Sequence, residues 1–172
     1  MQRLLSTFTL VALMAATAAA HDTWVETNTN LVHTGDAVYI DLKLGTHGND
    51  HRDFKLASKA NPADGTWEVI SPSGETFDLR SVAVDLGYAP KEGYWNAKYV
   101  TAAPGLYTVA HARDKIVNHG RPTRSIKSGK AYFVASDSLE QVPLDSVGFD
   151  RPLGHPLELV PVVHPGPIGV TG

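Results

Sequence analysis

The sequence contains no cysteine, which excludes a disulfide framework, a thiolate metal centre, a catalytic thiol and a lipid-modified Cys. It has no apolar run of 18 residues after its first twenty, so no membrane-spanning helix is expected in the rest of the chain. Charge is sparse and nearly balanced: 15 Lys+Arg against 18 Asp+Glu give a formal net charge of -3, with no long basic run. A dedicated nucleic-acid binder would need a strongly basic patch, so that partner class is not expected. Gly-x-Ser-x-Gly, P-loop, dinucleotide and His-Glu-x-x-His patterns are all missing, and nothing in the sequence argues for an enzyme. What the 172 residues do have is 11 Pro, 15 Gly and eight His. The first two favour strands joined by turns over helices. The third is notable because His is the commonest side chain among transition-metal ligands.

Residues 1–20 read as a secretory signal peptide. Met1-Gln2-Arg3 carries one positive charge, Leu4 to Leu13 is mostly apolar, and Ala18-Ala19-Ala20 supplies the small-residue cleavage pattern. The mature protein is therefore expected outside the cytoplasm, periplasmic or secreted, with His21 as its first residue.

In Ala37 to Leu44, Val38, Ile40, Leu42 and Leu44 fall on one face, the period of a half-buried strand. Thr34-Gly35-Asp36 is the turn before it, and Thr23 to Glu26 reads as a short first strand. Thr66 to Ile70 and Glu75 to Leu79 flank Ser71-Pro72-Ser73-Gly74, a hairpin turn with Pro presetting φ and Gly allowing positive φ. Tyr94 to Thr101 is another strand. Ala103-Pro104-Gly105-Leu106-Tyr107 is similar to the corner of immunoglobulin-like sandwiches, where a Tyr hydroxyl bonds back to the backbone. Lys130 to Ala135 closes the set. Around seven short strands without an amphipathic helix predict an all-β, immunoglobulin-like antiparallel β-sandwich over residues 21–136. From 137 to 172 six prolines interrupt every run, and only Leu157 to Val163 is strand-like; this is a Pro-rich strap or linker. Its Gly-Pro-Ile-Gly ending is more like the approach to a second domain than a stop, although a free tail also fits.

An N-terminal His offers an amine and a ring nitrogen that close a chelate on one ion, and near neutral pH neither is costly to deprotonate. Such a pair suits Cu(II) or Ni(II). The second candidate is Gly45-Thr46-His47-Gly48-Asn49-Asp50-His51-Arg52-Asp53. Extended, His47 and His51 would stand about 13 Å apart, but Gly48-Asn49-Asp50 favours a tight turn that brings the rings together. Asp50 or Asp53 would then act as an oxygen ligand or hold a ring N–H; the same residues equally suit a solvated loop. His111 shares the parity of Tyr107 and Val109 and should face the core near a strand end. His33, His119, His155 and His164 are expected at the surface.

Arg113, Lys115, Arg121, Arg124, Lys127 and Lys130 form a basic hairpin around a tip at Asn118-His119-Gly120. It suits an anionic partner, but more often such a hairpin is a solvated edge that resists aggregation. Trp24, Trp67 and Trp95 fit a sugar-binding platform or ordinary packing.

Ala20-His21-Asp22-Thr23-Trp24-Val25-Glu26, the Gly35-Asp36 turn, the Gly45 to His51 segment, the Pro104-Gly105-Leu106-Tyr107 corner and Pro156-Leu157-Glu158-Leu159-Val160-Pro161 together resemble an exported bacterial family of unknown function described as nickel-uptake or NikM-like. The resemblance implies a signal cut just before His, a β-sandwich and often a second immunoglobulin-like domain. It also implies a divalent metal, nickel or cobalt, at His21, His47, His51 and His111. The expected role is metal capture outside the cytoplasm and delivery to a membrane metal transporter, with copper as a further candidate ion. Two other classes remain open: a non-catalytic adhesion or carbohydrate-binding module, and a His-brace copper oxidase.

Overall fold

Nine strands form among the described residues, and in core strands such as Ala37–Gly45 successive side chains alternate between the two faces, as an extended chain requires. The computed structural model describes residues 21–45, 59–87, 89, 92–118, 120–140, 142 and 148–163. Its strands are β1 (Asp22–Thr27), β2 (Leu31–His33), β3 (Ala37–Gly45), β4 (Gly65–Ile70), β5 (Thr76–Asp78), β6 (Ala83–Asp85), β7 (Trp95–Val100), β8 (Gly105–Asn118) and β9 (Pro122–Ser136). Two 3₁₀ turns, Pro62–Asp64 and Leu79–Val82, are the only helical pieces among the described residues.

The strands form two sheets, ordered β1-β3-β7-β6 and β2-β9-β8-β4-β5. Their facing surfaces make one core: Val38, Ile40 and Leu42 from β3 and Ala97 from β7 meet Trp67 and Val69 from β4, Tyr107 and Val109 from β8 and Phe133 from β9. The expected all-β sandwich is present, with two corrections. Nine strands replace about seven, and one pair is parallel: β2 runs alongside the end of β9, with Leu31 opposite Val134. Three of the four outermost strands are only three residues long, which limits the open hydrogen-bonding edge that a sheet presents to other chains.

The turn chemistry follows the sequence closely. Gly74 closes the β4–β5 hairpin at φ +88, donating its N–H to Ser71 O at 2.9 Å. The second strand of that hairpin ends at Asp78 rather than Leu79, because the Asp78 carboxylate accepts from Arg80 N at 2.9 Å and starts a 3₁₀ turn. At the β7–β8 corner the Tyr107 hydroxyl donates to Ala103 O at 2.8 Å and accepts from the N–H groups of Ala102 and Ala103. The Tyr107 ring stacks on Phe133 with centroids 4.9 Å apart, which locks β8 against β9.

The strap after Ser136 is not a strand at Leu157 to Val163; it is an irregular segment docked on the outer face of β8 and β9. Ser128 donates to Leu157 O at 2.5 Å, and Lys130 pairs with Glu158. The Glu158 carboxylate also accepts the N–H groups of Leu153, Gly154 and His155. Burial pushes its pKa up, but the Lys130 ammonium and these N–H donors outweigh that and lower it to about 2.

Candidate functional site

β8 carries His111 two residues beyond Val109 and four beyond Tyr107, so all three side chains face the core. Register places Trp67 of β4 on one side of His111 and Gly129 of β9 on the other. Gly129 leaves room for the backbone of β1: a Cβ there would lie 3.5 Å from Trp24 Cα and 3.7 Å from Thr23 O, enough space for alanine but not for a larger side chain. The start of β1 therefore closes this end of the sandwich directly beside His111. Asp22 in turn pairs with Gly45, so His21 and the last residue of β3 belong to that same end.

His111 is 1% exposed, and its Nδ1 lies 2.7 Å from Thr66 O. A carbonyl only accepts, so Nδ1 carries the proton and Nε2 is left with its lone pair. Burial is the main cause that lowers the His111 pKa; the Thr66 hydrogen bond opposes it, and the charges of Arg113, His155 and Lys127 lower it further. The ring is thus held neutral in a single tautomer. Nε2 is buried and has no hydrogen-bond partner. The same is true of Thr23 Oγ1, Trp67 Nε1 and Arg113 Nε, which belong to residues around the same end. Buried polar atoms are nearly always paired, so each of these atoms has capacity for a water, ion or ligand.

The charges around this end have a definite arrangement. Arg113 stands directly opposite Lys127 across β8 and β9, on the face that His111 and Gly129 share. Both are half-buried. Burial is the main cause that lowers the Lys127 pKa, assisted by Arg113 and opposed by Asp22. Three other cations of the basic hairpin are neutralised: Arg124 is bidentate on Asp114, Lys115 pairs with Asp64 and Lys130 with Glu158. Among the described residues neither Arg113 nor Lys127 has an ion-pair partner. The hairpin is therefore not only a solvated edge, since its inner face supplies two cations to the sandwich end.

Of the four histidines expected to bind metal, the structure places His111 inside this end and His21 at its rim, exposed just before β1. His47 and His51 lie outside the described residues, as do Asp50 and Asp53. Among the described residues no three His, Asp or Glu side chains converge on one point that would hold an ion. What this end does supply is Nε2 of His111, a buried nitrogen without a partner that could serve as one ligand. His33 is exposed as expected, whereas His155, within the strap, is half-buried rather than free at the surface. Its Nδ1 is buried without a partner. His119 and His164 are outside the described residues.

The sequence does not single out Thr23, Trp67, Arg113 and Lys127 as parts of the site. For Arg113 a signal exists in its shared parity with Val109 and His111; for Lys127 it is the position of the hairpin tip, which sets the register.

A second polar cluster lies on the outer face of the first sheet, and it is fully engaged. Lys43 bridges Glu26 at 2.5 Å and Asp41 at 3.0 Å, beneath the Tyr94 ring. Asn96 donates to Asp41 at 2.7 Å, and Trp24 Nε1 donates to Glu26 at 2.8 Å. Burial pulls the Lys43 pKa down, but the hydrogen bonds and charges of the two carboxylates outweigh it and hold it above the ordinary lysine value. The three tryptophans form no common platform: Trp67 is in the core, Trp95 donates to Ala60 O at 2.6 Å, and Trp24 belongs to the Glu26 cluster.

No helix of the described residues is long and apolar enough to cross a membrane. No curated protein matches the sequence. Among solved structures the chain is similar to a DUF4785 family protein from Legionella pneumophila, at 16% identity and a TM-score of 0.44, with 64% of this chain and 27% of that chain covered. The chain thus spans about a quarter of the length of that protein. Residues 18–172 match the family described as domain of unknown function DUF4198, and the chain belongs to that family.

Proposed function

We propose that this protein binds a divalent transition metal, nickel or cobalt and also copper, outside the cytoplasm and captures it for delivery to a membrane uptake system. The ligands are the amine and ring of His21, the ring of His111, and His47 or His51 from the segment after β3. The observation that carries the reading is the buried, unpartnered Nε2 of His111, turned into its donor tautomer by the Thr66 carbonyl. A backbone carbonyl on the far nitrogen is the usual support of a metal-binding imidazole. The second support is topological: β1 begins and β3 ends at the same end of the sandwich as His111, which brings His21 there, and His47 follows Gly45 by two residues in the sequence. The resemblance to exported nickel-uptake proteins agrees with both. Capture is put ahead of polysaccharide oxidation because Trp67, the aromatic beside His111 among the described residues, is buried in the core and offers no surface for a polymer.

Two measurements test this. Intact mass of the protein secreted by its own host should give His21 as the first residue; any other N-terminus removes the amine-and-ring chelate. Ni(II) at a hundredfold excess over Kd should then stabilise the native state by roughly 2.7 kcal/mol, read as a rise in melting temperature. His111→Ala and the double substitution His47→Ala with His51→Ala should each erase that rise. Equal rises in wild type and both variants would overturn the reading.

A further inference from the structure

A divalent cation beside His111 meets an electrostatic problem. Two cations, Arg113 and Lys127, already sit opposite one another at this end, where like charges on neighbouring strands repel. Arg113 remains protonated at any ordinary pH, so it cannot relieve the conflict by losing its proton. Asp22 is the carboxylate that favours the charged form of Lys127. Bare Ni(II) would add two positive charges to a place where that one carboxylate stands against two cations.

The orphaned atoms point to the same gap. Trp67 Nε1 and Arg113 Nε can only donate, Thr23 Oγ1 can donate, and Lys127 offers three further N–H groups. His111 Nε2 is the one pure acceptor in the set. Donor groups on the strands that adjoin His111, together with its lone pair, are complementary to an oxyanion that also holds a metal. Polycarboxylates have that form: some carboxylates ligate the ion while another remains free for a guanidinium, which binds planar carboxylates through paired N–H groups.

We propose that Thr23, Trp67, Arg113 and Lys127 form a carboxylate subsite next to His111, and that the metal is taken up as an anionic metal–polycarboxylate chelate rather than as the bare ion. The metal half of this proposal rests on the function proposed above; the carboxylate half rests on the donor cluster alone. It explains why the inner face of the hairpin keeps two cations unpaired while Lys115, Arg124 and Lys130 on the same hairpin each have a carboxylate partner.

Calorimetric titration of the secreted protein tests it, with nickel chloride in a non-coordinating buffer, citrate alone, and preformed nickel citrate as probes. Nickel citrate should bind at least about tenfold more tightly than nickel chloride compared at equal free Ni(II). Arg113→Gln combined with Lys127→Gln should abolish that gain, read as the ratio of nickel citrate to nickel chloride affinity at equal free Ni(II). Lys127→Gln alone, the milder change should the double variant fold poorly, should lose part of it. If nickel chloride binds and citrate brings no gain, or if the variants keep the gain, the carboxylate subsite is overturned while the metal reading stands. If no form of nickel binds but citrate binds to wild type and not to the variants, the subsite stands and the metal reading falls. An equal gain from inorganic phosphate overturns the carboxylate assignment.

Discussion

Tyr107 and His111 lie four residues apart on the same face of the same strand, and both are buried polar side chains. Their surroundings differ completely. The Tyr107 hydroxyl makes three hydrogen bonds to the Ala102–Ala103 corner, and its ring stacks on Phe133. His111 is tied at Nδ1 and left open at Nε2, among other polar atoms that also lack partners. One end of the sandwich is thus closed by its own backbone, while the other keeps donors and an acceptor in reserve. A buried polar group that is satisfied contributes to stability, and one that is not contributes a cost that a ligand can remove. On the function proposed above, the two ends are a structural corner and a binding end of a single core.

The comparison can be broken most severely at the corner. Tyr107→Phe keeps the ring but removes the hydroxyl that pairs with two N–H groups and a carbonyl of the Ala102–Ala103 corner, and should cost about 1–2 kcal/mol in urea unfolding. A loss below about 0.5 kcal/mol would mean that the corner is as open as the other end. Next in size is the strap. Glu158→Gln removes the charge that gathers Lys130 and three N–H groups, and should speed amide exchange at Leu153, Gly154 and His155 by about tenfold, with the core amides unaffected. The same clamp should show in acid. Because folding lowers the Glu158 pKa from 4.5 to about 2, its contribution is fully present above pH 4.5 and is lost as pH falls through about 2. Strap exchange should therefore accelerate across that window in wild type and be flat in the Gln variant.

The binding end should behave in the opposite sense. In metal-free protein, His111→Leu replaces an orphaned polar ring by an apolar side chain, and stability should change by less than about 1 kcal/mol even though the site is 1% exposed. A loss comparable to that of Tyr107→Phe would show His111 to be a structural residue after all. The smallest effect belongs to the exposed tip of the hairpin: Asp114→Asn, which breaks a solvent-facing pair with Arg124, should change stability by no more than about 0.5 kcal/mol and leave nickel and citrate binding as they were.

Much of the closed end is legible in the sequence. A Pro-Gly corner followed by Tyr is a local pattern, and the Val38, Ile40, Leu42 alternation fixes which face of β3 is buried. Strands β2 and β6 leave no such trace, because three residues are too few to show a period. The full lengths of β8 and β9 are hidden for another reason: beyond His111 the hairpin carries polar residues on both faces, so alternation gives no signal although the backbone ladder continues to Asn118. The prolines reveal the strap, but its docking depends on Lys130 meeting Glu158, 28 residues later in the chain.

The sequence by itself determines the absence of thiol chemistry, the inward parity of His111 and the candidate metal ligands, because side-chain parity is a property of consecutive residues. Only the tertiary structure decides that Arg113 faces Lys127, that Gly129 admits β1 against β9, and that the polar atoms of Thr23, Trp67, Arg113 and His111 are buried without partners. Those facts depend on the register and approach of strands far apart in sequence, where a shift of one residue would turn every side chain to the other face.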